Sequence, residues 1–284
     1  MTRMNSSNAP TQYAEAAGVR YAYRRFGNAN GGLPLLCLQH FTGTLDNWDP
    51  AIVDALSADR EIILFENAGV GRSGGTVPAS ITAMADHVLQ FVGAIALSKF
   101  HILGYSLGGF LAQEIAIAKP ELVARIVLSG SAPEGGKGAG MDRPELLAIY
   151  TDAEMSMHEK LKRLFFPETP DGKQAAQAFV ERLASRTGEA DLPANAEVAP
   201  AQLGAMIAWA NWPGDVAHKL ASIPHPVLVT NGDNDIMIPT RNSFVLAEGL
   251  PNATLIIYPN AGHGALFQYA STYVAHVREF LRGA

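Results

Sequence analysis

The chain has 284 residues, 48% of them hydrophobic and 17% charged, an ordinary globular composition long enough to bury a sizeable core. Its net charge of −6 argues against nucleic acid or an anionic membrane as a partner. One cysteine, Cys37, excludes an intrachain disulfide and any cysteine-built metal site, and no run approaches the ~20 apolar residues of a membrane span.

Residues 1–10 are polar and read as a frayed end, with no apolar segment after a basic start. A soluble, reducing, cytoplasmic setting is therefore the default expectation. Residues 12–16 and 19–26 read as two strands joined at Gly18, the second alternating Val19, Tyr21 and Tyr23 with polar or small residues. Residues 33–38 form a short apolar run, a strand buried on both faces, with Cys37 inside it as a small hydrophobe. The run ends in Gln39-His40-Phe41-Thr42-Gly43. The spacing of Trp48, Ile52, Val53 and Leu56 predicts a helix over 47–56. A buried strand at 61–65 stops in a glycine-rich loop, 66–75, which lacks the Gly-Lys-Ser/Thr ending of a phosphate loop. Met84, Val88, Phe91, Val92 and Ile95 give one face of a helix over 81–97.

The next stretch carries the chemistry. Phe100-His101-Ile102-Leu103 is a buried strand, Gly104-Tyr105-Ser106-Leu107-Gly108 breaks it, and residues 110–116 continue at helical spacing. Strand, Gly-x-Ser-x-Gly, helix makes a tight turn that lifts a serine hydroxyl clear of the sheet. It also puts the Leu107 N–H at a helix N-terminus, where it can meet an anion. Another apolar strand follows at 123–128. To this point strands and helices alternate, as a parallel sheet covered by helices requires.

From Ala132 the texture changes. Residues 143–210 read as helices only, at 145–150, 153–166, 174–186 and 200–212, punctuated by prolines. This is read as a helical insertion between two strands. The sheet resumes at 226–230, followed by the loop Asn231-Gly232-Asp233-Asn234-Asp235. A helix over 242–250, a strand over 253–258, the loop Pro259-Asn260-Ala261-Gly262-His263-Gly264 and a helix over 271–281 close the chain.

Ser106, Asp235 and His263 each stand just beyond the C-terminal end of an expected parallel strand, along the edge where sites form in open sheets. A serine hydroxyl is a weak nucleophile until a base takes its proton, and a carboxylate holds the imidazole in the useful tautomer. Asp233 competes with Asp235 for that place. His40 is the one other histidine near the edge. His101 reads as structural. His87, His158 and His276 read as solvated positions on helices, and His218 and His225 fall on the wrong side of the sheet. None has metal-ligand spacing, so no metal is expected.

The chain from about residue 12 resembles an α/β-hydrolase with a helical cap, of the esterase, lactonase and perhydrolase-like branch. The carriers are Gly104-Tyr105-Ser106-Leu107-Gly108-Gly109, Gly232-x-x-Asp235-x-x-x-Pro239 and Gly262-His263. The resemblance implies a mostly parallel eight-stranded sheet with helices on both faces. The core would comprise 11–132 and 213–284, and the inserted cap 133–212. It selects Asp235, three residues after the glycine, over Asp233. It implies Ser106 as nucleophile, His263 as base and Asp235 as the orienting acid. It further implies an oxyanion hole from the Leu107 N–H and a second donor after the strand at 33–38. The family has a His-Gly there; here the glycine is missing and Phe41 takes the donor's place, with His40 shaping the loop. Tyr105, Phe166, Trp209, Trp212 and Leu266 are the expected substrate contacts.

The expected activity is hydrolysis of a small or medium apolar carboxylic ester or lactone through an acyl-enzyme, with no cofactor. C–C bond hydrolysis, perhydrolysis and aminopeptidase action use the same triad, and a non-catalytic ligand receptor could retain it. An aminopeptidase would call on Glu145, Asp152, Glu154 or Glu181 to hold the substrate amine. The expected partner is the small-molecule ester or lactone itself, with no nucleic acid or membrane and with room for a homodimer.

Overall fold

The computed structural model describes residues 4–282. Eight strands form one sheet: β1 (Gln12–Ala16), β2 (Val19–Gly27), β3 (Leu35–Leu38), β4 (Glu61–Phe65), β5 (Phe100–Tyr105), β6 (Val123–Ser129), β7 (Val227–Gly232) and β8 (Ala253–Tyr258). Their spatial order is β1-β2-β4-β3-β5-β6-β7-β8. β2 pairs antiparallel with β1 and β4, and all other pairs are parallel. The central strands are apolar on both faces because helices cover both. β3 and β5 have no exposed residue, whereas edge strand β1 alternates half-buried with exposed positions.

The helices of the sheet layers are α1 (Pro50–Leu56), α2 (Ile81–Ala94) and α3 (Leu107–Ala118), with α9 (Arg241–Gly249), α10 (Ala265–Gln268) and α11 (Ala270–Arg282) after β7. Between β6 and β7 lie α4 (Pro144–Thr151), α5 (Met157–Phe165), α6 (Pro170–Leu183), α7 (Val198–Ala210) and α8 (Val216–Ala221). The expected helical insertion is therefore present.

Helix boundaries differ from the periodic reading where caps intervene. The helix expected over 47–56 starts only at Pro50, because the Asp49 carboxylate accepts the Ala51 N–H as an N-cap and Pro50 takes the first helical position. Trp48 lies outside it but remains buried. The helix expected over 153–166 starts at Met157, where Ser156 and Glu159 form a capping box. The helix expected over 81–97 ends at Ala94, and Ala96 turns out of it at φ +53°. α8 and α10, of six and four residues, are too short to leave a periodic signal and were not expected. Two histidines expected to be solvated are bonded instead: His87 to the Tyr21 hydroxyl at 2.6 Å and His276 to the Tyr258 hydroxyl at 2.9 Å. Among the described residues no helix is long and apolar enough to cross a membrane.

Candidate active site

Ser106 occupies the turn from β5 into α3 at φ +55°, ψ −118°, a strained backbone for a residue with a Cβ. The surroundings hold it there. Its N–H donates to the Ser129 carbonyl at the end of β6 (2.8 Å), and its carbonyl accepts from the Ser131 hydroxyl (3.1 Å) and the Gly109 N–H (2.8 Å). The flanking glycines are required by close approach. A Cβ on Gly104 would stand 2.5 Å from the Gly108 carbonyl oxygen, and one on Gly108 would stand 2.0 Å from that of Leu38. The second contact presses the start of α3 onto the end of β3, so Leu107 and the turn after β3 become neighbours.

His263 lies in the loop after β8. Its Nδ1–H donates to Asp235 Oδ2 at 2.7 Å, and both side chains are fully buried. Asp235 Oδ1 accepts the Met237 and Ile238 N–H groups at 2.8 and 2.9 Å, which fixes the carboxylate's plane. Asp233, the sequence rival, accepts from Ala261 N–H and the Asn234 amide and does not bond the histidine. With Nδ1 committed, Nε2 carries the free lone pair. Nε2 and the Ser106 hydroxyl are both buried without a hydrogen-bond partner among the described residues. Tyr105 connects the two loops: its ring lies 5.1 Å from that of His263 and its hydroxyl donates to the His263 carbonyl at 3.3 Å. Burial keeps that phenol protonated by raising its pKa well above the usual value.

The turn after β3 leaves one N–H unspent. His40 N–H donates to Gln39 Oε1, Thr42 N–H to Gln202 Oε1, Gly43 N–H to the His40 carbonyl and Thr44 N–H to Asn47 Oδ1. The Phe41 N–H has no such acceptor among the described residues. Leu107, at the first position of α3, has no acceptor one turn back. His40 Nδ1–H closes onto the Phe41 carbonyl at 2.8 Å. Burial pushes the His40 pKa down to about 4, with the nearby His263 adding to the shift. His40 is thus a neutral, loop-shaping residue, its ring packed edge-on against Tyr105 and Phe165.

The helical insertion reaches this centre at several points. The Gly264 N–H, one residue after His263, donates to the Phe165 carbonyl at 2.7 Å, and the Phe165 ring lies 5.5 Å from the imidazole. The Tyr150 ring lies 5.1 Å from Phe41. A cavity of about 270 Å³ opens between the turn and the insertion, bordered by His40, Thr42, Tyr150, Met157, Leu161 and Leu192 among others.

None of the five expected substrate contacts borders that cavity. Tyr105 and Leu266 are buried in the core. Phe166 packs over Gly264 and Phe179, Trp209 stacks on Phe110 at 5.2 Å, and Trp212 lies against Gly135 and under Lys219. Phe166 and Trp209 thus bind the insertion to the sheet layers, whereas Trp212 packs within the segment between β6 and β7. Gln202 and Tyr150 were not foreseen. For Gln202 a signal existed: it is the single polar side chain with an amide or charge in the apolar run of α7. Among the described residues no three His, Cys, Asp or Glu side chains converge as a metal site would need.

Residues 34–270 match the model of the alpha/beta hydrolase fold. The protein named as carbamate hydrolase RutD of Agrobacterium fabrum is 30% identical over 260 residues, covering 84% of this chain and 89% of its own. A 2-hydroxy-6-oxononadienedioate/2-hydroxy-6-oxononatrienedioate hydrolase of Burkholderia vietnamiensis is 26% identical, with 99% of each chain covered. Among solved structures, an alpha/beta hydrolase fold protein from Chitinophaga pinensis superposes with a TM-score of 0.93 at 40% identity, over 99% of this chain and 100% of that one. The family model spans most of the chain, and the sheet order and the strand-elbow-helix unit agree with it: this chain belongs to the alpha/beta hydrolase fold family.

Proposed function

We propose that the protein is a serine hydrolase that cleaves a small or medium apolar carboxylic ester or lactone through an acyl-enzyme. The observation that carries this reading is the Asp235–His263 pair, which leaves Nε2 free to take a proton, together with Ser106, held in a strained turn with its own hydroxyl buried and unpartnered among the described residues. His263 takes the Ser106 proton as the hydroxyl attacks the carbonyl, then returns it to the leaving group. Asp235 holds the imidazole and offsets its charge. The Leu107 and Phe41 N–H groups receive the oxyanion. A water activated by His263 then releases the acid. Residues 133–212 act as the cap, and the 270 Å³ cavity beside the Phe41 turn is where the acyl or leaving group enters.

One second reading has specific support. The 30% identical relative named as a carbamate hydrolase makes a carbamate carbonyl the nearest alternative for the same triad. C–C bond cleavage rests on the more distant 26% identical hydrolase. The aminopeptidase reading has less support: of its four carboxylates Glu145, Glu154 and Glu181 face solvent, and the half-buried Asp152 accepts the Glu154 N–H.

The test is hydrolysis of p-nitrophenyl esters from acetate to decanoate, with a p-nitrophenyl carbamate alongside, by wild type and Ser106→Ala. Chain-length-dependent turnover that the variant lacks, with unchanged circular dichroism, is the expected result. His263→Ala should lose nearly as much. Full activity in Ser106→Ala would sink the mechanism. Turnover of the carbamate alone would move the substrate to the second reading.

A further inference from the structure

β5 carries Ser106 beyond its C-terminal end. At its opposite end, beside His101, lies a second cavity of about 720 Å³, bordered by Asn28, Leu33, Asp59, Arg60, His101 and Arg282 among others. It lies at the edge of the sheet away from the triad. Its volume is within the range of small-molecule sites.

Arg60 is only 4% exposed. Its Nε is buried without a partner, and its guanidinium makes no hydrogen bond or ion pair with any described residue. A buried cation without a counter-charge is costly, and native structures pair such groups with protein, an ion or a ligand. Burial lowers the Arg60 pKa first; Asp59 opposes this without bonding the guanidinium, and Arg278 and Arg282 then add to the fall. Asp59 is already engaged by Arg278 at 2.6 Å. Glu279, 3.9 Å from Arg282, is almost fully in solvent. His101 is 1% exposed with Nδ1 unpartnered. Burial, then Arg60 and Arg125, push its pKa down to about 4, so at neutral pH it offers an N–H without charge. Arg125 itself is turned onto the Phe280 ring. Leu33, Ala58 and Leu281 supply apolar wall.

We infer that this cavity binds a small organic anion, a carboxylate or phosphate with a compact apolar body, its charged group on Arg60 and Arg282 and its body against Leu33 and Leu281. The site is separate from the triad, so binding should not depend on Ser106.

Thermal unfolding at fixed ionic strength tests this, with inorganic phosphate, phenyl phosphate and hexanoate as probes at millimolar concentration. At least one should raise the Tm saturably in wild type and in Ser106→Ala. Arg60→Gln should abolish that rise and, without a probe, should unfold at the same or a higher temperature than wild type, since it removes an unpaired buried charge. Arg282→Glu, at an exposed position that cannot threaten folding, should weaken binding about tenfold by reversing the charge at the rim. Ester turnover should be unchanged in both variants. A rise with phosphate alone identifies the phosphate source, and one with hexanoate alone the carboxylate. No saturable rise with any probe, or equal rises in wild type and both variants, overturns the inference. Neither result bears on the serine mechanism, which is read by turnover.

Discussion

At the scale of single residues, the contact with most leverage on the proposed chemistry is Thr42 to Gln202. Thr42 follows Phe41 in the turn, at φ +57°, and its N–H donates to Gln202 Oε1 at 2.7 Å. An N–H can only donate, so this bond fixes which way the Gln202 amide lies, and its NH₂ is left buried without a partner among the described residues. Removing the acceptor leaves the N–H of the half-buried Thr42 without its protein partner, at a cost of about 1 kcal/mol, and frees the peptide that aims the Phe41 N–H. Gln202→Leu should therefore lower kcat about tenfold, less than outright loss of an oxyanion donor, with KM little changed. Gln202→Glu keeps an acceptor for Thr42 and should retain most of kcat. The measurement is steady-state kinetics on the best p-nitrophenyl ester; a wild-type kcat in Gln202→Leu would remove the turn from the mechanism. The Phe41 assignment was legible in the sequence only through family resemblance, at a place where the family's glycine is missing. In the structure it rests on elimination, since the N–H groups of His40, Thr42, Gly43 and Thr44 are all spent.

At the scale of elements, the parallel strands were legible because burial on both faces writes a continuous apolar run, as at Leu35–Leu38 and Phe100–Tyr105. The elbow was legible because Gly104 and Gly108 answer to contacts that forbid a side chain. The insertion's helices were legible by period, but not where they dock, because docking depends on contacts between residues far apart in sequence. The clearest is Arg182 of α6, 133 residues from Asp49. Asp49 caps α1, is completely buried, and takes both Nε and a terminal nitrogen of Arg182 at 2.8 and 2.6 Å. The same guanidinium reaches the Phe267 carbonyl in α10. α6 is thereby fastened to the layer that supports the His263 loop. Arg182→Ala would strand a buried carboxylate and should cost about 3 kcal/mol. Asp49→Asn in that background should recover part of the loss, because the amide keeps a cap without the charge. Urea unfolding of the single and double variants reads this directly. A double variant no more stable than Arg182→Ala would show that the stranded charge is not the cost.

At the scale of the whole molecule, stability should depend on pH through groups outside the triad. Glu66, just after β4, and Asp191, in the tail of the insertion, both accept the Leu45 N–H, at 3.3 and 2.8 Å, so their carboxyl groups adjoin. Glu66 is 1% exposed and also accepts the Arg72 and Ser73 N–H groups. Burial, then Asp191, push the Glu66 pKa up to about 9. The folded protein therefore keeps a proton on Glu66 that the unfolded chain releases in the ordinary carboxyl range. Between that range and about pH 9 the native state binds more protons than the unfolded state. Stability from this pair thus falls as pH rises, by at most about 1.4 kcal/mol per pH unit. His40 and His101 act oppositely. Their pKa values lie near 4 in the fold, so acid protonates them first in the unfolded chain and stability falls as pH drops below the ordinary histidine range. The two windows overlap below the ordinary histidine range, where two histidines outweigh one carboxyl, so the optimum should lie near the top of the histidine window. Glu66→Gln separates them: its carbonyl can still accept from Arg72 and Ser73 while its NH₂ donates to Asp191, and it does not titrate. Urea midpoints from pH 5 to 9 should show the variant close to wild type at pH 5 and progressively more stable than wild type above neutrality. The acid-side fall should remain, since the histidines are untouched. Parallel wild-type and Glu66→Gln curves across the alkaline window would mean that Glu66 is ionised in the fold, and that the insertion's tail is held there by Arg72 and the Leu45 N–H rather than by a shared proton.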